Sequence, residues 1–338
     1  MKDIINVGVI GAGRMGKIHT ENIILYINEA RVKTVADYCP DHVKDWADNI
    51  GINLVKEPEE IINDPDIDAV FICSPTDTHS KYSIEASKAG KDIFCEKPID
   101  LSLDTVKKTI KIVKKTGVKF QAGFNKRFDH NFKRAHDIIK EGRIGDVNIL
   151  KITSWDPKPP PIEYSMVCGG LFLDMTIHDF DMARFLSGSE VTEVYALGAV
   201  RVDPAIDKVC SDYDTAIISL KFENGAIGVI DNCRKAVHGY DQRLEVLGST
   251  GTVAILNDAP STAVLSDDKG VCYEKPKNNF IDRYADAYIA EIKEFFSALA
   301  QDRQPSVSII DGLKPLEIGL TALKSAQEGR PVRIEEVS

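Results

Sequence analysis

The stretch "INVGVIGAGRMGKIH" (residues 5–19) decides the fold of this chain. An apolar run suited to a buried strand leads into a G-x-G-x-x-G pattern formed by Gly11, Gly13 and Gly16, and a helical pattern follows. In this context the first glycine makes a tight turn, the second lets a pyrophosphate approach the backbone, and the third lets helix pack on strand. Because the free N–H groups of a helix N-terminus bind anions, the stretch predicts a dinucleotide-binding domain.

An acidic residue, Asp37, ends the second strand-like run, about 20 residues after the third glycine. A carboxylate at this place binds ribose hydroxyls and repels the 2′-phosphate of NADP, and the next three residues include no arginine or lysine. We therefore expect NAD as the cofactor. The alternative is that Asp37 caps the following helix. The residues predicted to hold the cofactor at this end of the domain are Gly11, Gly13, Arg14, Met15, Gly16 and Asp37.

Strand-like and helix-like patterns alternate up to residue 123, and this alternation predicts a Rossmann fold, a doubly wound parallel sheet, over residues 1–123. Beyond residue 123 the chain has helical patterns and successive hairpins with glycine turns, "ENG" and "STG". Residues 124–338 are therefore expected to form an α+β domain with a large, mostly antiparallel sheet. The strand-like runs of the first domain are residues 5–10, 32–37, 68–73, 92–96 and 118–123.

Composition excludes several classes of protein. With 43% hydrophobic and 28% charged residues, the 338-residue chain is typical of a globular protein, and a net charge of −10 argues against nucleic acid or anionic membranes as partners. The apolar runs are too short to span a membrane, and the N-terminus has no signal-peptide pattern. Seven cysteines scattered singly favour reduced thiols and a cytoplasmic location, with no structural zinc site.

Two further motifs follow predicted strands, where ligands of such sheets bind. The first, "CSPTDTH" (residues 73–79), supplies Ser74, Thr76 and His79. The second, "EKP", supplies Glu96 and Lys97, and the proline after Lys97 keeps this lysine out of the helical region of backbone conformations. The alternative for Lys97 is a solvated loop lysine.

The stretch "GGLFLDMTIHDFDMARFLSG" (residues 169–188) predicts a buried helix that nevertheless contains Asp174 and His178, four residues apart on one face. Burying ionisable groups without partners is costly, so the pair is either functional or a hydrogen-bonded structural pair. Asp179 and Asp181 are expected to anchor this helix or to pair with Arg184. The spacing also permits a metal site formed by Asp174, His178 and Asp181, but we expect no metal, because no further ligands converge on it.

These motifs, in this order, resemble the glucose-fructose oxidoreductase/inositol dehydrogenase/rhizopine catabolism (Gfo/Idh/MocA) family over essentially the whole chain. Four further stretches resemble its bacterial inositol 2-dehydrogenase branch: "GFNKRFD" (123–129), "DPKPPP" (156–161), "HDFDMARFLSG" (178–188) and "GYDQRLEVLGSTG" (239–251).

The resemblance implies that Lys97, Asp174 and His178 line the substrate pocket beside the nicotinamide. Oxidation of a secondary alcohol needs a base for the hydroxyl proton, and the imidazole group, with an ordinary pKa of about 6.5, suits that task. We therefore expect His178 to act as the base, Lys97 to stabilise developing alkoxide and relay protons, and Asp174 to bind substrate. Asp174 also has the alternatives of pairing with Lys97 or orienting the imidazole.

The same resemblance implies further substrate contacts from Arg127, Asp156 and Tyr240. The chain departs from the branch at Trp155, where inositol dehydrogenases often have arginine. A tryptophan there is able to stack on a sugar or on the cofactor, or to pack within the fold.

The expected function is therefore NAD-dependent oxidation of a cyclic polyol to a ketone, with myo-inositol, giving 2-keto-inositol, as the favoured substrate. A dehydrogenase of scyllo-inositol, an aldose or an anhydrosugar is a second hypothesis. An NAD-binding regulator without turnover, or a glycosidase that uses NAD transiently, is a third, because fold alone does not set function. Alternating apolar residues in "TAIISLKF" and "GAIGVID" offer a sheet face that an oligomer could bury. The resemblance implies a homo-oligomer, with a tetramer favoured over a dimer.

Overall fold

The structure, a computed structural model, describes residues 4–338. The first three residues of the N-terminal stretch, from which we predicted the absence of a signal peptide, lie outside the described residues. Contacts divide the chain into two compact units: the first runs to Phe128 and includes Asp286–Lys314, and the second consists of Asp129–Ala285 and Pro315–Ser338. A segment late in the sequence therefore belongs to the first unit. The predicted division at residue 123 does not include this return of the chain. In residues 4–338, no helix combines the length and apolarity needed to cross a membrane.

The first unit contains a six-stranded sheet with the strand order β3-β2-β1-β4-β5-β6, and every neighbouring pair is parallel. This order confirms the predicted Rossmann fold, in which the order reverses between β1 and β4. Its strands are β1 (Ile5–Ile10), β2 (Ala30–Ala36), β3 (Asn53–Val55), β4 (Ala69–Ile72), β5 (Asp92–Glu96) and β6 (Phe120–Gly123). Its crossover helices are α1 (Arg14–Tyr26), α2 (Lys44–Ile50), α3 (Pro58–Ile62), α4 (Thr76–Lys88) and α5 (Leu103–Thr116).

One strand of this sheet, β3, was not predicted. It has only three residues, and none of them is buried, so it lacks the apolar run that marks the other strands.

The second unit contains the remaining strands and most of the remaining helices. Its helices before residue 285 are α6 (His130–Lys140), α7 (Ile162–Ser165), α8 (Ile177–Ser187), α9 (Pro204–Cys210) and α10 (Phe280–Arg283). Its strands are β7 (Val147–Trp155), β8 (Val191–Ala199), β9 (Thr215–Phe222), β10 (Ile227–Cys233), β11 (Asp241–Gly248), β12 (Thr252–Ile255), β13 (Val264–Asp267), β14 (Gly270–Tyr273) and β15 (Val332–Arg333). The chain also forms α11 (Ala285–Ala300) and α12 (Ile309–Glu328).

The helix α11 explains why residues after 285 belong to the first unit. Its apolar face carries Phe295 and Phe296, which are fully buried against the parallel sheet. The ring of Phe295 lies 5.4 Å from that of Phe71 on β4, which itself stacks on Phe94 of β5 at 4.6 Å. This aromatic contact makes α11 part of the core of the first unit.

The second unit has a seven-stranded sheet with the order β12-β11-β7-β10-β9-β8-β15. All neighbouring pairs are antiparallel except β7 and β10, so the predicted mostly antiparallel sheet is confirmed. The "ENG" turn joins β9 to β10 and the "STG" turn joins β11 to β12, as the glycine spacing predicts.

The predicted continuous helix over residues 169–188 is wrong in its first half. Residues Leu171–Met175 form a π-helix, with the Thr176 N–H donating to the Leu171 carbonyl five residues earlier at 3.0 Å, and α8 begins only at Ile177. Asp174 therefore lies on the wider turn and His178 in the first turn of α8. Such π segments often occur at functional sites.

A buried carboxylate organises the connection that leads into β9. Asp214 is fully buried, and its side chain accepts hydrogen bonds from three successive backbone N–H groups, of Arg201, Val202 and Asp203, at 2.7–2.9 Å. Burial alone would raise the pKa of Asp214, but these donors lower it more strongly, so its pKa lies below the ordinary value.

We expect Asp214→Asn to lower the free energy of unfolding by about 3 kcal/mol near neutral pH, because a charged acceptor of several N–H groups is lost. A depressed folded-state pKa stabilises the protein above the unfolded pKa of about 3.9, and this contribution disappears as the pH falls through the folded value. The gap between wild type and variant in urea unfolding should thus shrink between about pH 5 and pH 3. The exposed Asp207 provides the control, Asp207→Asn, and an equal loss in both variants would contradict the assignment.

Candidate active site

The glycine-rich loop between β1 and α1 has the shape of a phosphate-binding turn. A Cβ atom added to Gly16 would lie 1.8 Å from the Gly11 carbonyl oxygen, so this position requires the close packing that only glycine allows. A Cβ atom added to Gly13 would meet nothing within 4 Å, so the space in front of this residue is open. Gly13 precedes α1 without any side-chain cap, which leaves the first N–H groups of the helix available to an anion.

Asp37 lies directly beside this loop, after the end of β2. One carboxylate oxygen accepts from the Ala12 N–H at 2.8 Å and the other from the Cys39 N–H at 2.9 Å. The following helical turn, Pro40–His42, has no side-chain cap, so the alternative role of Asp37 as a helix cap is excluded. Arg14 and Met15 begin α1, with Arg14 exposed and Met15 half-buried. The loop and the carboxylate together fit a dinucleotide with free ribose hydroxyls.

The loops after β4 and β5 are tied together by His79. This residue is 2% exposed, and its ring nitrogens lie 2.7 Å from the Ser74 carbonyl oxygen and 2.8 Å from the Pro98 carbonyl oxygen. Burial lowers the pKa of His79, which favours the neutral ring with one N–H, so the ring donates to one carbonyl at a time. The Ser74 hydroxyl also pairs with that of Thr78 at 2.6 Å, and Thr76 is the first residue of α4.

Glu96 and Lys97 stand at the carboxyl end of β5. The Glu96 carboxylate lies 2.7 Å from Nε2 of His19 on α1, and Lys97 follows as a half-buried residue. The predicted cofactor residues of the first unit are thus gathered at one edge of its parallel sheet, because all its strands end there.

In the second unit, Asp174 is held by two donors that the sequence did not reveal. The Tyr164 hydroxyl donates to one carboxylate oxygen at 2.9 Å and the Arg234 guanidinium donates to the other at 3.0 Å. Arg234 also contacts Asp156 at 3.3 Å, so it joins two of the predicted substrate residues. Asp174 is 9% exposed and Arg234 is 6% exposed, whereas Asp156 at the edge of the cluster is half-buried.

Charges dominate the behaviour of this cluster. Burial alone would lower the pKa of Arg234, but the carboxylates of Asp174 and Asp156 raise it above its ordinary value. Burial and the negative charge of Asp174 raise the pKa of Tyr164, so its hydroxyl stays a donor. The two donors fix the orientation of the Asp174 carboxylate.

The first turn of α8, which carries the half-buried His178, is fixed to the sheet by a buried amide. Asn232 on β10 donates to the Asp179 carboxylate at 2.9 Å, and its carbonyl oxygen accepts from the Thr176 hydroxyl at 2.6 Å. Asp181 lies 3.7 Å from Arg184. Asp179 thus anchors the helix and Asp181 pairs with Arg184, which are the two alternatives that the sequence predicted for these residues.

Trp155 lies on the other face of the same sheet. Its neighbour Ser154 is buried on the face that packs against α8, whereas the Trp155 indole N–H donates to Asp231 at 2.5 Å and the ring lies 5.7 Å from the Arg243 guanidinium. Because side chains alternate along a strand, Trp155 lies on the face of the sheet opposite to α8, which we call the open face, and its contact with a sugar or with the cofactor stays a prediction.

The remaining predicted substrate residues lie elsewhere. Arg127 belongs to the first unit, where it pairs with Asp311 at 2.9 Å. Tyr240 is 9% exposed and its ring lies 6.0 Å from that of Tyr284 in the second unit. Their contacts with substrate stay predictions.

Tyr164 and Arg234 are the residues that sequence reasoning missed. Arg234 directly follows β10, and Tyr164 follows the proline-rich loop. A charged residue immediately after an alternating strand is a weak signal, and nothing local connects it to Asp174, 60 residues away.

Comparison with known proteins agrees with this geometry. Residues 5–124 match an oxidoreductase family described as having an NAD-binding Rossmann fold, and residues 132–254 match the GFO/IDH/MocA C-terminal domain. The chain is 46% identical to myo-inositol 2-dehydrogenase of Thermotoga maritima over 332 residues, covering 98% of this chain and 99% of that protein.

Solved structures show the same likeness. A myo-inositol dehydrogenase from Corynebacterium glutamicum is 35% identical with a TM-score of 0.93, and the match covers 98% of each chain. A scyllo-inositol dehydrogenase from Lactobacillus casei, solved with bound NAD(H) and scyllo-inositol, is 29% identical with a TM-score of 0.91, covering 98% of this chain and 99% of that one.

Two glycine substitutions should separate cofactor binding from packing. Gly13 has an extended backbone with φ −68°, so Gly13→Ala should fold with nearly unchanged stability yet raise the dissociation constant for NADH about tenfold or more, because its methyl group enters the open space. Gly16→Ala should instead lower the free energy of unfolding by about 3 kcal/mol, because the methyl group meets backbone. Fluorescence titration with NADH and thermal unfolding measure both effects. If Gly13→Ala binds NADH as well as wild type, this loop does not hold the pyrophosphate.

Proposed function

The chain belongs to the GFO/IDH/MocA oxidoreductase family, and we propose that it oxidises a secondary hydroxyl group of inositol to a ketone, with myo-inositol as the substrate and 2-keto-inositol as the product. The observation that carries the proposal is the buried Asp174 carboxylate, held by Tyr164 and Arg234 just before the helix of His178. A polyol presents several hydroxyl donors, and a carboxylate held in a fixed orientation is suited to accept from them.

The cofactor is NAD. Its pyrophosphate suits the N-terminus of α1 with the open space at Gly13, and its ribose hydroxyls suit the Asp37 carboxylate. Bound there, NAD supplies the chemistry of accepting a hydride from the carbinol carbon. Asp37 excludes a 2′-phosphate by charge, which favours NAD over NADP.

Three side chains are assigned to the substrate. His178 takes the hydroxyl proton as the general base, because the imidazole group changes charge near neutral pH. Lys97 stabilises the developing negative charge on the oxygen and passes protons onward, because an ammonium group interacts more strongly with an alkoxide than with an alcohol. Asp174 accepts a hydrogen bond from a substrate hydroxyl while Arg234 and Tyr164 hold it in place.

Within this function, myo-inositol and scyllo-inositol are the two isomers to compare as substrates. The relative from Thermotoga maritima is named for myo-inositol and the structure from Lactobacillus casei contains scyllo-inositol. We favour myo-inositol because the chain is more similar to the former. Aldoses and anhydrosugars are the further substrates to test.

Absorbance at 340 nm tests the function directly. The purified protein should reduce NAD, and not NADP, with myo-inositol as substrate, and His178→Gln should lower kcat/KM by roughly 10²–10⁴-fold because the base is lost. NADH binding should remain, and the control His130→Gln, at a histidine whose side chain is 61% exposed, should keep full activity.

Other outcomes of the same assay have definite meanings. Reduction of NAD with another sugar, but not with myo-inositol, would change the assigned substrate and leave the proposed mechanism in place. Binding of NAD without reduction across a panel of polyols and sugars would contradict the dehydrogenase and favour a regulator, or a glycosidase that retains its cofactor. A His178→Gln variant with more than about a tenth of wild-type activity would exclude His178 as the base.

We also propose that the protein is a homotetramer assembled in part through the open face of the seven-stranded sheet. Apolar side chains lie exposed on this face, including Leu197, Ile217 and Ile227 at 52–54% exposure. Five adjacent strands of 7–9 residues offer about 600 Å² from each copy, so a pair would bury about 1,200 Å², the lower end for specific interfaces.

Free thiols at all seven cysteines support the predicted cytoplasmic location.

The oligomer is tested by a charge on this face. The double variant Leu197→Asp, Ile217→Asp should sediment as a smaller species than wild type, because cross-strand neighbours on one face would bring unpaired carboxylates into the interface. Leu25→Asp, at an exposed leucine of α1, is the matched control and should leave the assembly unchanged. Sedimentation of wild type as a monomer, or of the double variant as a tetramer, would contradict this assembly.

A further inference from the structure

Three ionisable side chains meet in the first unit, beneath the carboxyl end of β5. Nε2 of His19 lies 2.7 Å from Oε1 of Glu96, and one ring nitrogen of His19 and one oxygen each of Glu96 and Glu291 lie within 4.8 Å of one another. His19 and Glu291 are fully buried, and the Glu96 side chain is only 12% exposed. Of these three residues, only Glu96 is predicted from the sequence to lie in the cofactor site, as part of the "EKP" motif.

The surroundings of this cluster are aromatic. The His19 ring lies 4.9 Å from Phe94 and 5.9 Å from Phe71, which belong to the core of the unit. Neither carboxylate oxygen of Glu291 has a hydrogen-bond donor among residues 4–338. A buried carboxylate without donors strongly disfavours its charged form.

The titratable groups that face Glu291 do not supply a positive charge. From β5 it faces Glu96, whose negative charge adds to the effect of burial in raising the pKa of Glu291 well above its ordinary value. From the end of β4 it faces the Cys73 thiol, whose pKa is also raised by burial and by Glu96. From α1 it faces His19, which is engaged with Glu96, and from α11 itself Tyr288 contacts the His19 ring at 6.0 Å.

A proton or a divalent cation would each compensate the second carboxylate, and the geometry favours the proton. Two ligands of one tetrahedral zinc ion at bond lengths near 2.0–2.1 Å lie about 3.3 Å apart. The His19 nitrogen and the Glu96 oxygen are 2.7 Å apart, the separation of a hydrogen-bonded pair.

The cluster also confines Glu96. His19 binds its carboxylate on one side, and on the other side the carboxylate approaches Gly123 of β6 so closely that an added Cβ would lie 3.3 Å from Glu96 Oε2. Lys97 is the next residue, so restraints on Glu96 act on the backbone that leads directly to this lysine.

We propose that Glu291 carries a proton in the folded protein and, together with His19, acts as a positioning residue that holds Glu96 and thereby Lys97. The link to Lys97 rests on the proposed function, whereas the protonation of Glu291 does not. The polar atoms of His19, Glu96 and Glu291 lie within 4.8 Å of one another, a separation that one bridging water spans.

The proposal gives stability a pH dependence of known sign. A carboxyl group whose pKa is raised in the folded state stabilises the fold below its unfolded pKa of about 4.3, and this contribution falls as the pH rises toward the folded value. Glutamine is neutral at every pH, so Glu291→Gln removes the slope. Its melting temperature relative to wild type should therefore increase between about pH 5 and pH 9.

The control is Glu294→Gln on the same helix. Burial alone would raise the pKa of Glu294, but its hydrogen bond from Arg303 lowers the pKa below the ordinary value, so this variant should not gain relative stability as the pH rises. Infrared spectra of wild type should contain a protonated-carboxyl band that Glu291→Gln lacks and Glu294→Gln keeps. The absence of this band would contradict a protonated Glu291. So would a difference in melting temperature between Glu291→Gln and wild type that does not change with pH, or a stoichiometric divalent metal in the purified protein.

Kinetics test the positioning role. Glu291→Leu, which has no hydrogen-bonding group, should lower kcat about tenfold with an unchanged dissociation constant for NADH, and Glu291→Gln should restore most of kcat. Equal kcat in wild type and Glu291→Leu would show that the cluster does not position Lys97. If the infrared band and the pH dependence of the melting temperature are both observed but no polyol is oxidised, the proposed function is contradicted and the protonation of Glu291 is still supported.

Discussion

The parallel arrangement of six strands is the constraint on which the cofactor site depends. Because every strand of this sheet points the same way, the loops after β1, β2, β4 and β5 emerge at one edge. Distant motifs are therefore brought together without any contact of their own. Because Gly16 lies so close to the Gly11 carbonyl, α1 packs tightly on β1 and its N-terminus lies at the same edge.

The second unit solves a different problem, the burial of charge. Asp174 and Asp156 lie in a region with little solvent, and the Arg234 guanidinium between them compensates both. A buried ion pair of this kind adds little net stability, since desolvation offsets attraction, but it fixes the orientation of each partner. Here it fixes the Asp174 carboxylate in one position, which the proposed contact with a substrate hydroxyl requires.

The two units thus manage buried acids in contrasting ways. Arg234 donates hydrogen bonds to Asp174 and Asp156, whereas Glu291 has no donor among the described residues, and its carboxyl group is neutralised by a proton. Sequence patterns reveal neither the donors to Asp174 nor the surroundings of Glu291. Periodicity indicated that Asp174 is buried, because its neighbours are apolar, and the same logic applied to Glu291 in "AYIAEIKEFF" predicts only that a glutamate lies on a helix.

The sequence by itself determined the features that depend on neighbouring residues: the glycine fingerprint, the strand-helix alternation, the hairpins and the carboxylate after β2. These are local, since backbone conformation and periodicity are set within a few residues. It also indicated the family, and the proposed roles of Lys97, Asp174 and His178 follow from that resemblance. Tertiary structure alone decided the partners, because the donors to Asp174 and Glu96 lie up to 77 residues away in sequence. It likewise decided the π-helix at Asp174 and the sheet face on which Trp155 lies, since both follow from long-range packing and strand register.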